Sequence, residues 1–452
     1  MGQRAAIILA AGQGTRMKSS RPKVLHEVAG RAMLDWSIAL AESVGCAPIV
    51  VVTSPGAPAV AAHVEARLGR ASVAIQDPAL GTGHAVRCGL PALDGFEGDV
   101  VVLYGDTPLI PADAVERLFQ ALAHGDALGV LGFEAADPGA YGRLVQNEEG
   151  DLEAIVEASE ATPDQLAITL CNSGVMAGRA DTLSSLLMRI TNDNAKGEYY
   201  LTDAVGLARA DGLGCRVAVC SETDVLGVNS RVELAAAEAA FQASRRRALM
   251  EAGVTMQAPE TVYLSHDTQI APDVLLEPHI VFGPGVSIAS GARIRAFSHI
   301  EGAQIGEACE VGPYARLRPG AVLEAGVKIG NFVELKKTHM ARGAKANHLA
   351  YLGDGRVGEA ANIGAGTIFC NYDGYTKNLT EIGAGAFIGS NSALVAPVQI
   401  GEGAYVGSGS VITGNVAADA LSVARARQVD RPGWAAAFRA RMSALLAGKG
   451  KD

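Results

Sequence analysis

The chain has 452 residues, 49% of them hydrophobic, 19% charged and 5% aromatic, which excludes a disordered chain and leaves apolar material for roughly two or three domains. Its 38 Lys and Arg stand against 48 Asp and Glu, and the net charge of −10 excludes a general nucleic-acid binder; a phosphorylated substrate would need a local concentration of cations. Glycine is abundant at 54 residues, but with no Gly-X-Y period and only 18 prolines, collagen-like and low-complexity readings fail.

The opening Met1-Gly2-Gln3-Arg4-Ala5-Ala6 has no long apolar core and no Ser or Thr at position 6. It reads neither as a secretion signal nor as a myristoylation site. Residues 1–229 then alternate strand-like apolar runs with helical patterns. The expected strands are Ala5–Ala10, Ile49–Thr53, Ser72–Ile75, Val100–Tyr104 and Leu128–Phe133; the expected helices are Asp35–Val44, Ala57–Leu68, Gly83–Leu90 and Ala112–His124. Continuously apolar short strands separated by helices predict a Rossmann-like α/β domain with a mostly parallel sheet. Its ligands should lie at the carboxyl ends of the strands.

The first strand runs into Ala11-Gly12-Gln13-Gly14-Thr15-Arg16-Met17, followed by Pro22-Lys23. A glycine loop after a strand lets backbone N–H groups approach phosphate oxygens. No GK[ST] follows, so it is not a Walker A loop, and Met17 stands where a dinucleotide fingerprint needs its third glycine. Arg16 and Lys23 suit phosphate binding, against the alternative of a solvated basic turn. Gln76 and Gly81-Thr82-Gly83-His84-Ala85 form a second glycine turn, facing a base or ribose or simply opening a helix. Tyr104-Gly105-Asp106 ends a buried strand, and Asp106 reads equally as a Mg²⁺ ligand or a helix N-cap.

Residues 230–252 predict one linker helix, with Ser230 and Glu233 as a capping box and Gly253 as its stop. In residues 253–452 a hexad appears from about position 270. Its apolar members are Ile270, Leu276, Phe282, Ile288, Ile294 and Ile300, then Ile305, Val311, Leu317, Leu323, Ile329 and Leu335, then Ile382, Ile388, Leu394, Ile400, Val406 and Ile412. Period six predicts a left-handed parallel β-helix of hexapeptide repeats, one short strand and one corner per hexad. Breaks are expected as projecting loops at Lys336–His348 and Ile368–Glu381. The side faces of such a prism predict self-association, most simply a homotrimer. Pro432 and the following Trp434–Gly448 stretch predict a terminal helix before a loose Lys-rich tail.

Arg316, Arg318, Lys336, Lys337, His348, Tyr351 and Lys377 concentrate cations near the breaks of an acidic chain, as a phosphorylated substrate requires. His348 lies inside the first break, where a structural and a catalytic role both remain open. No Asp or Glu lies close enough in sequence to be an obvious partner for its ring. The seven cysteines, Cys46, Cys88, Cys171, Cys215, Cys220, Cys309 and Cys370, include no CxxC pair and read as reduced thiols. No apolar run approaches the roughly 18–20 residues of a membrane span. A cytoplasmic location without membrane or nucleic-acid partners is expected.

Several motifs together carry a resemblance: LAAGQGTRM with Pro22–Leu25, GTGHA, YGD, Tyr141-Gly142-Arg143, Ile155–Glu157, Asn172-Ser173-Gly174, Gly197–Tyr200 and Gly227–Asn229. They resemble a sugar-1-phosphate nucleotidyltransferase. Joined to the hexads, the whole chain resembles the bifunctional N-acetylglucosamine-1-phosphate uridylyltransferase/glucosamine-1-phosphate acetyltransferase family. The resemblance implies that Leu9, Ala10, Ala11, Gly12, Gln76, Gly81 and Thr82 hold the uridine nucleotide of UTP, with Tyr104 and Gly105 at the same site. It implies Mg²⁺ on Asp106 and Asn229, phosphates on Arg16 and Lys23, and N-acetylglucosamine against Gly142, Glu157, Asn172 and Asn229. In the second half it implies His348 as general base, and Arg318, Lys336, Tyr351, Asn362 and Lys377 for the sugar phosphate. Ala365, Asn371, Tyr372, Ser390, Ser408 and Arg425 are implied for acetyl-CoA. Ser173 and Ser408 stand where relatives often carry Thr and Ala, modest departures. Cys370 is left a bystander thiol, since the resemblance implies direct acetyl transfer. The product implies a role in peptidoglycan and other cell-wall glycan synthesis. The alternative is a single-activity sugar-nucleotide pyrophosphorylase whose β-helix is only a scaffold.

Overall fold

The computed structural model describes residues 2–194 and 196–449. They form two compact units: one runs to Glu251 and takes back Tyr263–Asp267, and the other holds Ala252–Val262 and the chain from Thr268 onward.

The first unit is built on a nine-stranded sheet. Along it lie Cys215–Cys220, Leu128–Glu134, Leu170–Arg179, Asp99–Tyr104, Arg4–Leu9, Ile49–Thr53 and Val73–Ile75, with Arg143–Gln146 and Leu152–Val156 attached as a hairpin. The runs IVVVT and DVVVLY are apolar on both faces because helices cover both faces. The expected strands and helices are present, with ends displaced by one or two residues. Arg4–Leu9 pairs in parallel with Ile49–Thr53 on one side and Asp99–Tyr104 on the other, whereas Leu170–Arg179 is antiparallel to both its neighbours. Parallel pairing sends the segments after Leu9, Ile75 and Tyr104 out at one edge of the sheet.

The helix expected over 230–252 spans Arg231–Glu251. Half of its capping box forms as expected, since the Glu233 N–H donates to Ser230 Oγ at 3.3 Å. The Glu233 carboxylate reaches one residue further back and accepts from the Asn229 N–H at 2.7 Å. The helix is integrated into the first unit: Glu238 accepts from the Ala29 N–H at 2.7 Å, and buried Gln242 exchanges hydrogen bonds with the Leu264 backbone at 2.7 and 2.9 Å.

The second unit is a parallel β-helix. One face is a ten-stranded ladder running from Thr255–Met256 to Leu421–Ser422. The other two faces join where Glu334–Met340 and Tyr351–Val357 run straight through the corner between them. Successive inward residues on the first face, Ile294, Val311, Ile329, Ala346 and Ile363, pair directly one above another. One coil is therefore 17 or 18 residues. Every hexad residue predicted from sequence is buried except half-buried Ile270. Each contributes about 1.5–3 kcal/mol by leaving water, which outweighs the weak intrinsic stability of two-residue strands. Gly330 shows how close the coils stack: a Cβ there would lie 1.8 Å from the Asn347 carbonyl oxygen.

The expected break at Lys336–His348 is not a break. The inward series continues through Met340, Ala346, Leu352, Val357, Ile363 and Phe369, all buried. Two hexads there are shortened to five residues, and Ala346 is too small to stand out as apolar. The second break is a loop: Tyr372 bridges to Lys377, and Asp373 caps a turn by accepting from the Tyr375 and Thr376 N–H groups at 2.8 and 2.6 Å. The terminal helix spans Trp434–Lys449, and Gly450–Asp452 of the expected tail lie outside the described residues.

Leu335 is fully buried between Leu317 and Leu352 of the adjacent coils. Leu335→Ala should destabilise the second unit by about 2–5 kcal/mol in chemical unfolding. A loss below about 1 kcal/mol would mean that the coils do not depend on this stacked interior.

Candidate active sites

In the first unit a cavity of about 500 Å³ opens at the carboxyl edge of the sheet. Leu9, Ala10, Ala11, Gly12, Lys23, Gln76, Gly81, Thr82, Tyr104, Asp106, Glu157 and Asn172 line it, together with Lys196, Glu198 and Tyr200. Gln76 is buried and donates from Nε2 to the Gly81 carbonyl at 2.9 Å, closing the second glycine turn on itself. Gly81 has φ +98°, and a Cβ there would meet the Tyr199 carbonyl oxygen at 2.7 Å, so no larger residue fits. Gly142 accepts from the Asn172 N–H at 2.8 Å, which brings two predicted sugar-binding residues together. Gly105 backs the cavity, its N–H bonded to the Leu9 carbonyl at 3.0 Å. Arg16 is exposed and lies outside the lining; its charge instead helps to stabilise the Glu233 carboxylate.

Three polar side chains converge at the cavity wall. Lys23 Nζ donates to Asp106 Oδ2 at 2.5 Å and to Asn229 Oδ1 at 2.9 Å, with the lysine side chain only 9% exposed. Asp106 follows the Asp99–Tyr104 strand, and Asn229 precedes the long helix. Their backbones are joined by the Val228 N–H donating to the Asp106 carbonyl at 2.9 Å. A carboxylate and an amide oxygen turned toward one cation are hard donors that suit Mg²⁺, which needs only one or two protein ligands beside phosphate and water. Among the described residues no cluster of three or more His, Cys, Asp or Glu could hold a metal.

The titrations of Glu157 and Tyr104 are shifted at this site. Burial pushes the Glu157 carboxyl up, partly offset by the Lys196 charge. Burial, with the charges of Asp106 and Glu157, likewise pushes up the Tyr104 hydroxyl, keeping it neutral. Glu157 therefore gives up its proton less readily than a free carboxyl while it lines the cavity.

In the second unit the coil period builds the site in columns. Asn331 and His348 are register partners on adjacent coils, and His348 Nδ1 donates to Asn331 Oδ1 at 2.7 Å. That bond leaves Nε2 as the basic nitrogen. The orienting group is thus an amide rather than a carboxylate. Asn331 was missed in the sequence although it lies one coil, 17 residues, before His348. Continuing the column, the Gly366 N–H donates to His348, the Asn391 N–H to Ala365 and the Gly409 N–H to Ser390, at 3.4, 2.7 and 2.8 Å. Ala365, Ser390 and Ser408 therefore line one corner of successive coils. Arg425 is exposed beside Gly409, at the end of this corner.

The cations gather on the neighbouring face. Lys336 is crowded by Lys377, and that neighbour, with the charge of Arg318, holds it below the ordinary lysine range. Crowded ammonium groups of this kind favour an incoming dianion. Arg318 is held by Glu334 at 2.8 Å, and Asn371 donates to Asp354 at 2.5 Å. Tyr351 stands over Gly353, where a Cβ would lie 2.5 Å from its hydroxyl. Tyr372 is 60% exposed on the loop, and Asn362 is a half-buried register partner of Lys345. Cys370 is half-buried and its sulfur lies 4.0 Å from the Ile368 carbonyl.

Residues 6–172 match the MobA-like NTP transferase domain, and residues 379–414 match the bacterial transferase hexapeptide model of six repeats. The chain is 64% identical to the bifunctional protein GlmU of Hyphomonas neptunium over 450 residues, covering 100% of this chain and 98% of that one. It is 60% identical to the protein of the same name in Maricaulis maris, covering 99% and 98%, and 57% identical to that of Caulobacter vibrioides, covering 97% and 95%. The hexapeptide match and the parallel ladders together make the second unit the left-handed parallel β-helix expected from the repeats.

The Glu157 shift has a sign that can be measured. The unfolded carboxyl ionises at lower pH than the folded one, so stability falls as pH rises from the unfolded value through the raised folded value. Glu157→Gln should flatten that fall when unfolding midpoints are compared from about pH 4 to about pH 7. Equal pH slopes in the two proteins would contradict the assignment.

Proposed function

The chain belongs to the bifunctional GlmU family, and on that premise we propose how its two units divide the work. The enzyme makes UDP-N-acetylglucosamine in two transfers. Acetyl passes from acetyl-CoA to glucosamine 1-phosphate, and uridylyl then passes from UTP to N-acetylglucosamine 1-phosphate with release of pyrophosphate. The observation that carries this division is that each unit holds its own polar cluster, Lys23–Asp106–Asn229 in one and Asn331–His348, with Lys336 and Lys377 on the neighbouring face, in the other.

In the first unit the sugar phosphate is already an anionic nucleophile, so no strong base is needed. Catalysis consists of positioning and of neutralising charge around the α-phosphorus while pyrophosphate leaves. The backbone of Leu9–Gly12, with Gln76, Gly81 and Thr82, binds and orients the nucleotide. Gly142, Glu157, Asn172 and Asn229 bind the sugar, and Lys23 meets the phosphates, with exposed Arg16 reaching them from outside the lining. Asp106 and Asn229 would hold Mg²⁺, which supplies further charge neutralisation when bound.

In the second unit Arg318, Lys336, Tyr351, Asn362 and Lys377 bind glucosamine 1-phosphate. His348 Nε2 takes a proton from the amine as its nitrogen attacks the thioester carbonyl. The C–N bond forms, the C–S bond breaks and coenzyme A leaves as the thiol. Ala365, Asn371, Tyr372, Ser390, Ser408 and Arg425 bind the coenzyme along the corner of the coils.

We further propose a homotrimer working in the cytoplasm to feed peptidoglycan and envelope glycan synthesis. Support for association comes from stacked His279, Phe297, Tyr314 and Phe332, with ring centroids 4.9, 4.9 and 5.3 Å apart. Exposed Leu349 continues this strip, which a partner copy would cover. Support for a reducing compartment comes from seven free cysteines, of which burial pushes the Cys46, Cys215 and Cys220 thiols up to about 12, 11 and 12.

Separate assays test the division. Asp106→Ala should lower pyrophosphate release at least about 10²-fold and spare acetyl transfer, while His348→Ala should do the reverse by roughly 10²–10⁴-fold. Loss of both activities in either folded variant would sink the two-site account. Asn331→Ala should lower the acetyl-transfer kcat by roughly 10²-fold with little change in KM, because it releases the ring without touching coenzyme. An unchanged kcat would remove the amide's positioning role.

A further inference from the structure

A phosphate-binding lysine is expected to reach into its cavity toward solvent. Lys23 instead turns its ammonium into the wall, against Asp106 Oδ2 at 2.5 Å and Asn229 Oδ1 at 2.9 Å, with 9% of its side chain exposed. The two oxygens come from segments far apart in sequence and are fixed from behind. The Val228 N–H holds the Asp106 carbonyl at 2.9 Å, and Glu233 holds the Asn229 N–H at 2.7 Å. Two electron-rich oxygens facing one point repel unless a cation sits between them. The ammonium is a compact cation with three donors and fills that place.

The base of the lysine is held in place. Its carbonyl accepts from the His26 N–H at 3.1 Å, and Gly14, at φ +61°, lies so close that a Cβ there would come within 2.6 Å of Lys23 Cβ. Only the outer side chain is free to swing, and both the wall oxygens and the cavity lie within its reach. We propose that Lys23 is a resident stand-in for the divalent cation. It keeps Asp106 and Asn229 together before substrate arrives and moves to the nucleotide phosphates as the metal takes its place. The inference rests on Asp106 and Asn229 as the metal-binding pair.

The consequence is a coupling between metal and nucleotide. With metal alone, two cations compete for the one carboxylate of Asp106. Polyphosphate brings the negative charge that lets both cations stay. Metal alone therefore binds weakly, and metal with nucleotide binds cooperatively.

The experiment measures Mn²⁺ binding to the nucleotide-free protein by electron paramagnetic resonance. Lys23→Met should bind Mn²⁺ at least about tenfold more tightly than the native protein, and Lys23→Arg, which keeps the charge, should not. Asp106→Asn should lose Mn²⁺ binding in both the native and the Lys23→Met backgrounds. If Asp106→Asn binds Mn²⁺ as the native protein does, the metal-site reading fails. If it loses binding while Lys23→Met binds no more tightly than native, only the stand-in role fails. A measurement on the native chain guards against misfolding of the variants. Reductive methylation of Lys23, followed by mass spectrometry, should speed up when Mn²⁺ alone is raised to saturation. Unchanged labelling would overturn the inference.

Discussion

Parallel register is the constraint on which both units depend. Parallel strands cannot be joined by tight hairpins, so each connection must cross over and return in the same direction. In the first unit this brings the ends of Arg4–Leu9, Val73–Ile75 and Asp99–Tyr104 to one edge, and the glycine turn, Gln76 and Asp106 meet there. In the second unit the same constraint stacks equivalent positions of successive coils. A residue's chemistry is then set by what lies 17 or 18 positions away, as Asn331 and His348 illustrate.

Close backbone approach allows this geometry and also limits it. Gly81 and Gly330 sit where any side chain would strike a carbonyl oxygen, one beside the nucleotide-type cavity and one between coils. Charge is used just as locally. A chain of net charge −10 assembles Lys336, Lys377 and Arg318 on one face of the β-helix and turns Lys23 onto Asp106 in the first unit. Each cluster concentrates positive charge locally against the field of an acidic chain. The acidity of the rest of the chain disfavours other polyanions.

The β-helix was legible because its signal repeats: an apolar residue every sixth position buries at nearly every predicted site. The same signal failed between Lys336 and His348, where Ala346 is too small to register and the repeat from Leu335 to Met340 is shortened, although the coil itself continues. In the first unit the continuously apolar strands were readable. The antiparallel Leu170–Arg179 strand was not, because its Asn172-Ser173-Gly174 stretch interrupts the apolar run and the ladder. Local loops showed where phosphate could be met. The contact of Lys23 with Asn229 spans 206 residues and had no local signature. Asn331 was recoverable from the coil period, but only once the supposed break was seen to be a continuous coil. Glu157 and Asn172 were named through resemblance, since a lone carboxylate and a lone amide carry no pattern of their own.

The central claim is that the β-helix is an enzyme in its own right and not only a scaffold for the first unit. The most direct test mixes the native protein with acetyl-CoA and glucosamine 1-phosphate, without UTP, and follows free thiol. The account predicts thiol release that depends on the sugar phosphate and proceeds in the absence of nucleotide. No release from folded protein that still forms UDP-N-acetylglucosamine from UTP and N-acetylglucosamine 1-phosphate would contradict it. The second unit would then be a support for a single uridylyl-transfer site.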